Sequence, residues 1–220
     1  MARPSEIIYG WVGAKQGSIT HHQIVDTYNE IKPLPRGTKM NYVWSWCAAT
    51  VSAAYHLAGL DNIFPSEMSC IKMIEKAKKM GIWVEDDSYI PKQDDVIIYA
   101  WDDNKNTFAK YDNTSGHDHT GIVLNVSNGV INVVEGNKGT PGKVGIRQVP
   151  INGWGIRGFI VPKMPTTVPT TPAKETKDLE KVAREVIQGK WDNGVKRRQL
   201  LTQAGYDYAE VQKKVNELLK

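Results

Sequence analysis

Cys47, His119 and Glu135 are residue types that together can perform nucleophilic catalysis. Each lies at the first or last position of a predicted helix or strand. Cys47 follows the aromatic Trp46 and begins an alanine-rich stretch that Gly59 ends, a pattern that predicts a helix. A thiol in the first turn of a helix meets unpaired backbone N–H groups and the positive end of the helix dipole, and both favour the thiolate. The pattern therefore indicates a nucleophile, with a buried structural thiol as the alternative.

A thiol nucleophile needs a base within hydrogen-bond reach and a group that orients the base. His119 begins one predicted strand, and Glu135 and Asn137 end the next. A hairpin through Asn128-Gly129 would bring the start of the first strand beside the end of the second, so that His119 and Glu135 become neighbours. A carboxylate in that place orients the imidazole and stabilises its protonated form.

Each of these assignments has an alternative. His117 lies two residues before His119 and competes for the role of base. A histidine at a strand start is also a common packing or surface residue, and Glu135-Gly136-Asn137 could form an ordinary turn. The two histidines suggest a metal site, but the sequence has no further Cys or His pair at zinc spacing. We therefore predict no metal and no cofactor.

The elements that must position these residues are helices first and strands afterwards. Helical patterns cover residues 18–32, 47–58 and 65–79, and β-type runs cover residues 95–101, 120–126, 129–135 and 156–161. Helices grouped before strands predict an α+β fold in which the helices pack on an antiparallel sheet.

The composition changes sharply after residue 162. Residues 163–177 are rich in Pro, Thr and Lys and cannot form a core, so they are predicted to be an extended linker. The chain thus divides into a catalytic domain over 1–162 and a small module over 178–220. Apolar residues at helical spacing in that module predict a minimal three-helix bundle.

Composition and charge exclude several classes of protein. The 220 residues are 40% hydrophobic and 24% charged, which is normal for a globular protein. The net charge of +4 is too small to indicate nucleic-acid binding, and no basic stripe contains interleaved aromatic residues. No apolar run approaches the ~18 residues of a membrane span, so we predict no membrane insertion.

The two cysteines and the N-terminus bear on where the protein works. Two cysteines are too few for a disulfide scaffold, and Cys70 is predicted to be a buried free thiol, since pairing would silence Cys47. Residues 1–6 open no signal-peptide core. We therefore expect synthesis in the cytoplasm, with release by a separate membrane pore if the protein acts outside.

The motifs around the candidate residues resemble those of a known family. Trp46-Cys47 at a helix start, His119-Thr120-Gly121-Ile122-Val123 and Glu135-Gly136-Asn137 are together similar to the CHAP family of peptidoglycan hydrolases. The resemblance spans about residues 5–162. It implies a papain-like fold in which Cys47 attacks an amide carbonyl, His119 is the base, Glu135 orients it and Asn137 assists.

Two positions depart from that family's pattern. In Pro91-Lys92-Gln93-Asp94-Asp95-Val96, Asp94 stands where glycine is usual, which puts a tight turn in question. Some CHAP domains hold calcium in an acidic loop before the cysteine. Here that loop, residues 35–43, has no carboxylate, and we predict no calcium because calcium requires several oxygen ligands.

The C-terminal segment resembles the cell-wall-binding repeat of certain phage lysins over nearly all of residues 178–219. That repeat forms a three-helix bundle and recognises the glucosaminyl-muramyl peptide of peptidoglycan. The candidate binding residues are Trp191, Asn193, Gly194, Arg198, Tyr206 and Asp207. Trp191 could stack on a sugar or complete the small core, and Arg198 could pair with a carboxylate. One copy predicts modest affinity unless the chain forms homo-oligomers.

Together the two resemblances imply an endolysin from a bacteriophage that acts on the peptidoglycan of a Gram-positive host. The CHAP family includes N-acetylmuramoyl-L-alanine amidases, which we favour here, and peptide-bridge endopeptidases. Two further interpretations are a wall-binding protein with an inactive first domain and a papain-like protease that acts on proteins.

Overall fold

The computed structural model describes residues 2–86, 88–101, 118–165 and 179–193, together with residues 197, 200, 201, 206 and 208–219. The chain separates into two compact units, one over residues 2–165 and the other from residue 166 onward. Each unit buries its own apolar side chains. Most of the predicted linker lies outside the described residues, and the boundaries at residues 162 and 178 stay a prediction.

A six-stranded antiparallel sheet organises the N-terminal unit. Its strands are β1 (Trp83–Val84), β2 (Val96–Tyr99), β3 (His119–Ser127), β4 (Val130–Lys138), β5 (Lys143–Pro150) and β6 (Ile156–Ile160). Their spatial order is β1-β6-β2-β3-β4-β5, and every neighbouring pair is antiparallel. The predicted α+β class with an antiparallel sheet is confirmed.

Helices precede the sheet in the chain, as predicted. They are α1 (Pro4–Gly10), α2 (Ile19–Glu30), α3 (Cys47–Leu57) and α4 (Cys70–Lys79), with a 3₁₀ turn at Pro35–Gly37 between α2 and α3. The central helix is α3, which contacts α1, α2, β3 and β4. Its alanines are fully buried, and such small side chains let the helix lie close to the sheet.

The predicted helix over residues 65–79 is wrong at its N-terminal end, because α4 begins only at Cys70. Ser52 on α3 explains the difference. Its hydroxyl accepts from the backbone N–H of Glu67 at 2.9 Å and donates to the Glu67 carbonyl at 2.8 Å. Both backbone groups of Glu67 are thus satisfied outside a helix, and the segment before Cys70 is fixed against α3 instead.

The sequence patterns do not predict α1, β1 or β5. β1 has two residues and α1 has seven, which are too few for a clear periodicity. β5 contains Gly145 and ends at Pro150, two residue types that weaken a strand prediction. The structure pairs β5 with β4 along most of its length, so that β5 covers the edge of the sheet beside β4.

The hairpin between β3 and β4 forms as predicted. Ser127 pairs with Val130, and the two intervening residues, Asn128 and Gly129, both have positive φ angles of 51° and 74°. Positive φ at both central residues defines a type I′ turn, whose twist matches that of the strands. This turn sets the pairing of β3 with β4 as far as Asn125, and a bulge between Val123 and Asn125 shifts the register by one residue beyond that point.

Asp94 occupies the glycine position of the family pattern without loss of the turn. Its φ of 72° lies in the left-handed region, which Asp tolerates better than most residues. Its buried carboxylate is 2.6 Å from Arg3 and accepts from the backbone N–H of Ser5 at 2.9 Å. These bonds to the N-terminal segment stabilise the turn before β2.

The C-terminal unit is helical where it is described. α5 (Leu179–Ile187) and α6 (Tyr208–Leu218) contact each other, and residues 197, 200 and 201 between them are helical. The shared core consists of Val182, Ala183, Val186, Leu201, Val211 and Val215. Most of the predicted middle helix lies outside the described residues.

Candidate active site

Cys47 is the first residue of α3, where the sequence places it. The preceding Trp46 provides no side-chain cap, so the first N–H groups of the helix stay available to the sulfur or to a substrate. The backbone N–H of Ala48 hydrogen-bonds to the thiol. Trp46 is fully buried, and its carbonyl accepts from the Thr50 hydroxyl at 2.6 Å, which anchors this end of the helix.

The structure brings Cys47, His119 and Glu135 together from three elements. The side chains of Cys47 and His119 hydrogen-bond to each other. Nε2 of His119 lies 3.3 Å from Oε2 of Glu135, a distance that suits an ion pair. Cys47 and His119 are each 6% exposed and Glu135 is fully buried. The three side chains thus have the arrangement that a thiol hydrolase needs for its nucleophile, base and orienting carboxylate.

The electrostatics of this set favour a charged pair. The pKa of Cys47 lies well below its ordinary value, because hydrogen bonds from Cys70, His119 and the Ala48 N–H outweigh the burial that would raise it. Burial lowers the pKa of His119, but its interactions with Cys47 and Glu135 raise it to about 9. Both shifts favour a thiolate beside an imidazolium.

The carboxylate remains ionised despite its burial. Burial alone raises the pKa of Glu135, but His119 and Arg147 together hold it below its ordinary value. Beside it, burial and then the negative charge of Glu135 raise the pKa of the Tyr99 hydroxyl well above its ordinary range. Glu135 is therefore the negative partner of the imidazolium, while Tyr99 stays neutral.

Cys70 has a place in the site that the sequence does not predict. It is a buried free thiol, as expected, and so is Cys47. Its side chain hydrogen-bonds to Cys47, and this bond is the largest influence that lowers the pKa of Cys47. The same contact raises the pKa of Cys70 well above its ordinary value, so Cys70 stays protonated and donates to the thiolate. Both cysteines begin a helix in the structure. The predicted helix over residues 65–79 places Cys70 in its interior, so the sequence offers no signal for this contact.

Arg147 and Trp101 also border the site, and neither is a sequence candidate. Nε of Arg147 donates to both carboxylate oxygens of Glu135, at 2.6 and 2.9 Å. The Trp101 ring lies parallel to the imidazole of His119 with centroids 5.3 Å apart. Arg147 belongs to β5, so the missed strand accounts for the missed residue.

Two glycines let the elements that carry the candidate site approach one another. A Cβ on Gly121 of β3 would lie 2.8 Å from Cγ of Glu135, and one on Gly136 of β4 would lie 2.1 Å from Oγ1 of Thr50. Neither distance leaves room for a side chain. Glycine at these positions allows β3 to pass close to Glu135 and α3 to pass close to β4.

Two other predicted site residues of the N-terminal unit are Asn137 and His117. Asn137 is the penultimate residue of β4 and has a positive φ of 55°, and its amide oxygen packs against Gly142. Among the described residues it makes no bond to Cys47, His119 or Glu135, so its assisting role stays a prediction. His117 lies outside the described residues.

The candidate wall-binding residues are described in part. Trp191 packs edge-on against Tyr206 at 5.9 Å, and its indole N–H donates to Glu185 at 3.0 Å. Both aromatic residues contact the apolar core of the unit, which favours a packing role for Trp191. Asn193 is exposed, and its amide oxygen accepts from Arg197 at 2.8 Å. Gly194, Arg198 and Asp207 lie outside the described residues.

Among the described residues, no group of three or more His, Cys, Asp or Glu side chains is placed to hold a metal ion. No described helix has the length and apolar character that crossing a bilayer requires.

Fold and site agree with comparisons to known families. Residues 37–137, which include Cys47, His119 and Glu135, match the CHAP domain, and the N-terminal unit therefore contains a CHAP domain. Residues 180–219 match the CW_7 repeat, so the C-terminal unit contains one such repeat. Both resemblances stated from the sequence are confirmed.

Similarity to a whole protein is more limited. The lysozyme of Streptococcus phage Cp-7 is 60% identical over 42 residues, which cover 19% of this chain and 12% of that protein. The chain thus matches only a small part of the relative's length. No solved structure matches this chain.

Proposed function

We propose that the N-terminal unit hydrolyses an amide bond of bacterial peptidoglycan with Cys47 as the nucleophile, and that the protein is a phage endolysin. The observation that supports this most directly is the contact of a low-pKa thiol with a histidine that is paired to a buried carboxylate. The CHAP domain and the CW_7 repeat support peptidoglycan as the substrate.

The first half of the proposed reaction forms an acyl-enzyme. The Cys47 thiolate attacks the amide carbonyl carbon, and a C–S bond forms while the carbonyl π electrons move to oxygen. The backbone N–H of Cys47 at the start of α3 donates to this oxyanion. The His119 imidazolium then gives its proton to the amide nitrogen, the C–N bond breaks, and a thioester and a free amine result.

The second half releases the acid. Neutral His119 takes a proton from water, and the resulting hydroxide attacks the thioester carbonyl. The C–S bond breaks, the thiolate returns to Cys47, and the carboxylic acid leaves. Glu135 holds the imidazole in the orientation that serves both steps, and Asn137 is proposed to assist.

The bond that we propose is the N-acetylmuramoyl–L-alanine amide, as in the amidases of the CHAP family. A peptide link of the bridge is the alternative, since the same acyl transfer cuts either bond. The C-terminal unit is proposed to hold the enzyme on the wall, and homo-oligomers would strengthen the binding of its single repeat.

Mass spectrometry of digested Gram-positive peptidoglycan tests the proposal. Purified protein should release stem peptides from intact glycan, and Cys47→Ala should release none. Fragments cut within the stem or the bridge would support the same mechanism but show that the enzyme is an endopeptidase and not an amidase. If no wall yields Cys47-dependent products, the protein is a wall-binding protein without this activity. Cleavage of casein but not of walls would favour a papain-like protease.

A further inference from the structure

Arg147 is bound to the catalytic carboxylate more tightly than the histidine is. It lies on β5 opposite Val133 of β4, and its Nε donates to both oxygens of Glu135 at 2.6 and 2.9 Å. The distance from Glu135 to Nε2 of His119 is longer, at 3.3 Å. The two short bonds therefore determine how the carboxylate is oriented, and His119 meets a group that Arg147 has already fixed.

The same guanidinium belongs to an aromatic stack that includes the imidazole. Its carbon lies 4.8 Å from the centroid of the Trp101 ring and 5.6 Å from that of Tyr99. Trp101 in turn stacks on His119 at 5.3 Å with an angle of 27° between the rings. The backbone N–H of Trp101 donates to the Asp118 carboxylate at 2.5 Å, which ties the backbone of Trp101 to the residue before His119. The stack limits the tilt of the imidazole.

We propose that Arg147 is a positioning residue for the hydrolysis described above: it holds Glu135 towards His119 and, through Trp101, keeps the imidazole in line with Cys47. The inference rests on the proposed function for the reaction itself. The contacts that support it are independent of the substrate, so they can be tested without one.

The positive charge of Arg147 predicts the direction in which the titration of His119 shifts when Arg147 is replaced. The titratable groups around His119 are Cys47 on α3, Cys70 on α4, Tyr99 on β2, Asp118 beside β3, Glu135 on β4 and Arg147 on β5. Arg147 carries the same charge as the imidazolium and therefore disfavours it. Without that positive charge the imidazolium is more stable, so His119 would titrate at a higher pH.

The test uses Arg147→Gln and Arg147→Lys in the full chain, with the pH profile of wall hydrolysis and the NMR titration of the His119 ring as readouts. Arg147→Gln should lower kcat about ten- to a hundredfold. It should also move the alkaline limb and the His119 midpoint to higher pH. Arg147→Lys keeps the charge but not the planar fork, so it should lower kcat without the upward shift.

Arg157→Gln is the matched control, because Arg157 is also a strand arginine whose Nε donates to a glutamate, Glu85, at 2.8 Å. The proposal would be overturned if Arg147→Gln lost activity only in proportion to its folded fraction, as the control does, and if the titration midpoint of His119 did not move. Unchanged kcat would also overturn it. The NMR midpoint needs no substrate, so it tests Arg147 even if the wild type hydrolyses no peptidoglycan.

Discussion

Nε2 of His119 lies 3.3 Å from the buried carboxylate of Glu135, across a hairpin that joins the start of β3 to the end of β4. The type I′ turn at Asn128-Gly129 and a one-residue bulge between Val123 and Asn125 together set the register that makes this contact. Cys47 approaches the same imidazole from the first turn of α3. The turn, the bulge and the helix start thus assemble the three groups on which the proposed chemistry depends.

Replacing Glu135 by Gln should move the alkaline limb of the activity profile to lower pH. The pKa of His119 is about 9 in part because the carboxylate stabilises the imidazolium. Without that charge it should fall towards the ordinary histidine value of about 6.5. Since the imidazolium is the proposed acid, activity should be lost at a lower pH, and kcat should drop about a hundredfold or more. A pH–rate profile of wall hydrolysis measures both effects.

Glu67→Gln is the control for that experiment. Glu67 is equally buried and pairs with Arg36 and Lys76, away from His119. Its replacement should cost stability but leave the alkaline limb in place. A Glu135→Gln enzyme with the wild-type limb would show that Glu135 does not support the charge of His119.

Cys70→Ala should shift the acid limb of the profile to higher pH. The pKa of Cys47 is low above all because Cys70 donates to its sulfur, so loss of the donor raises the pH at which the thiolate forms. Cys70→Ser keeps a donor of similar size and should retain an acid limb closer to that of the wild type. If the alanine variant and the wild type had the same acid limb, Cys70 would not be the group that lowers the pKa of Cys47.

Gly121→Ala should inactivate and destabilise the N-terminal unit. Its Cβ would lie 2.6 Å from Cγ1 of Val133 and 2.8 Å from Cγ of Glu135, so β3 and β4 would have to separate. Such overpacking costs about 1–3 kcal/mol of unfolding free energy. Thermal unfolding and wall hydrolysis measure the two effects.

Gly10→Ala serves as the comparison for Gly121→Ala, because a Cβ on Gly10 meets nothing within 4 Å. This variant should unfold at or above the wild-type temperature and keep full activity. Equal stability and activity in both variants would mean that the close approach of β3 to Glu135 is not required.

Local sequence signals were sufficient for the parts of the site that depend on short-range structure. The glycine stop and alanine run predict α3 and place Cys47 at its start, and Asn128-Gly129 predicts the hairpin that joins His119 to Glu135. Each of these features is decided within a few residues, by helix termination or by turn geometry.

The parts that were missed depend on contacts between distant segments. Arg147 acts on Glu135 through the pairing of β5 with β4, and β5 has no clear strand pattern of its own. Cys70 meets Cys47 because Ser52 binds the backbone of Glu67 and brings the start of α4 to α3. A single sequence holds no record of such pairings, since spacing alone does not reveal which segments pack together.

Trp191→Ala should destabilise the C-terminal unit as well as weaken its binding to walls. The indole is half-buried, contacts the core of the unit and donates to Glu185 at 3.0 Å. Its removal should cost about 2 kcal/mol or more of the stability of this unit. Trp154→Ala, which removes a 60% exposed indole from the N-terminal unit, should cost little. Loss of wall pelleting with unchanged unfolding would instead assign Trp191 to ligand contact alone.

The thiolate–imidazolium pair of Cys47 and His119 is tested most directly by the pH dependence of alkylation. Iodoacetamide would be reacted with the wild type and with His119→Ala, and modification of Cys47 would be followed by peptide mass spectrometry. We predict that the wild type reacts at acidic pH, well below the ordinary thiol pKa of about 8.5, and that His119→Ala needs a higher pH. A wild-type Cys47 that reacts only as an ordinary thiol, with the same profile in His119→Ala, would contradict the mechanism.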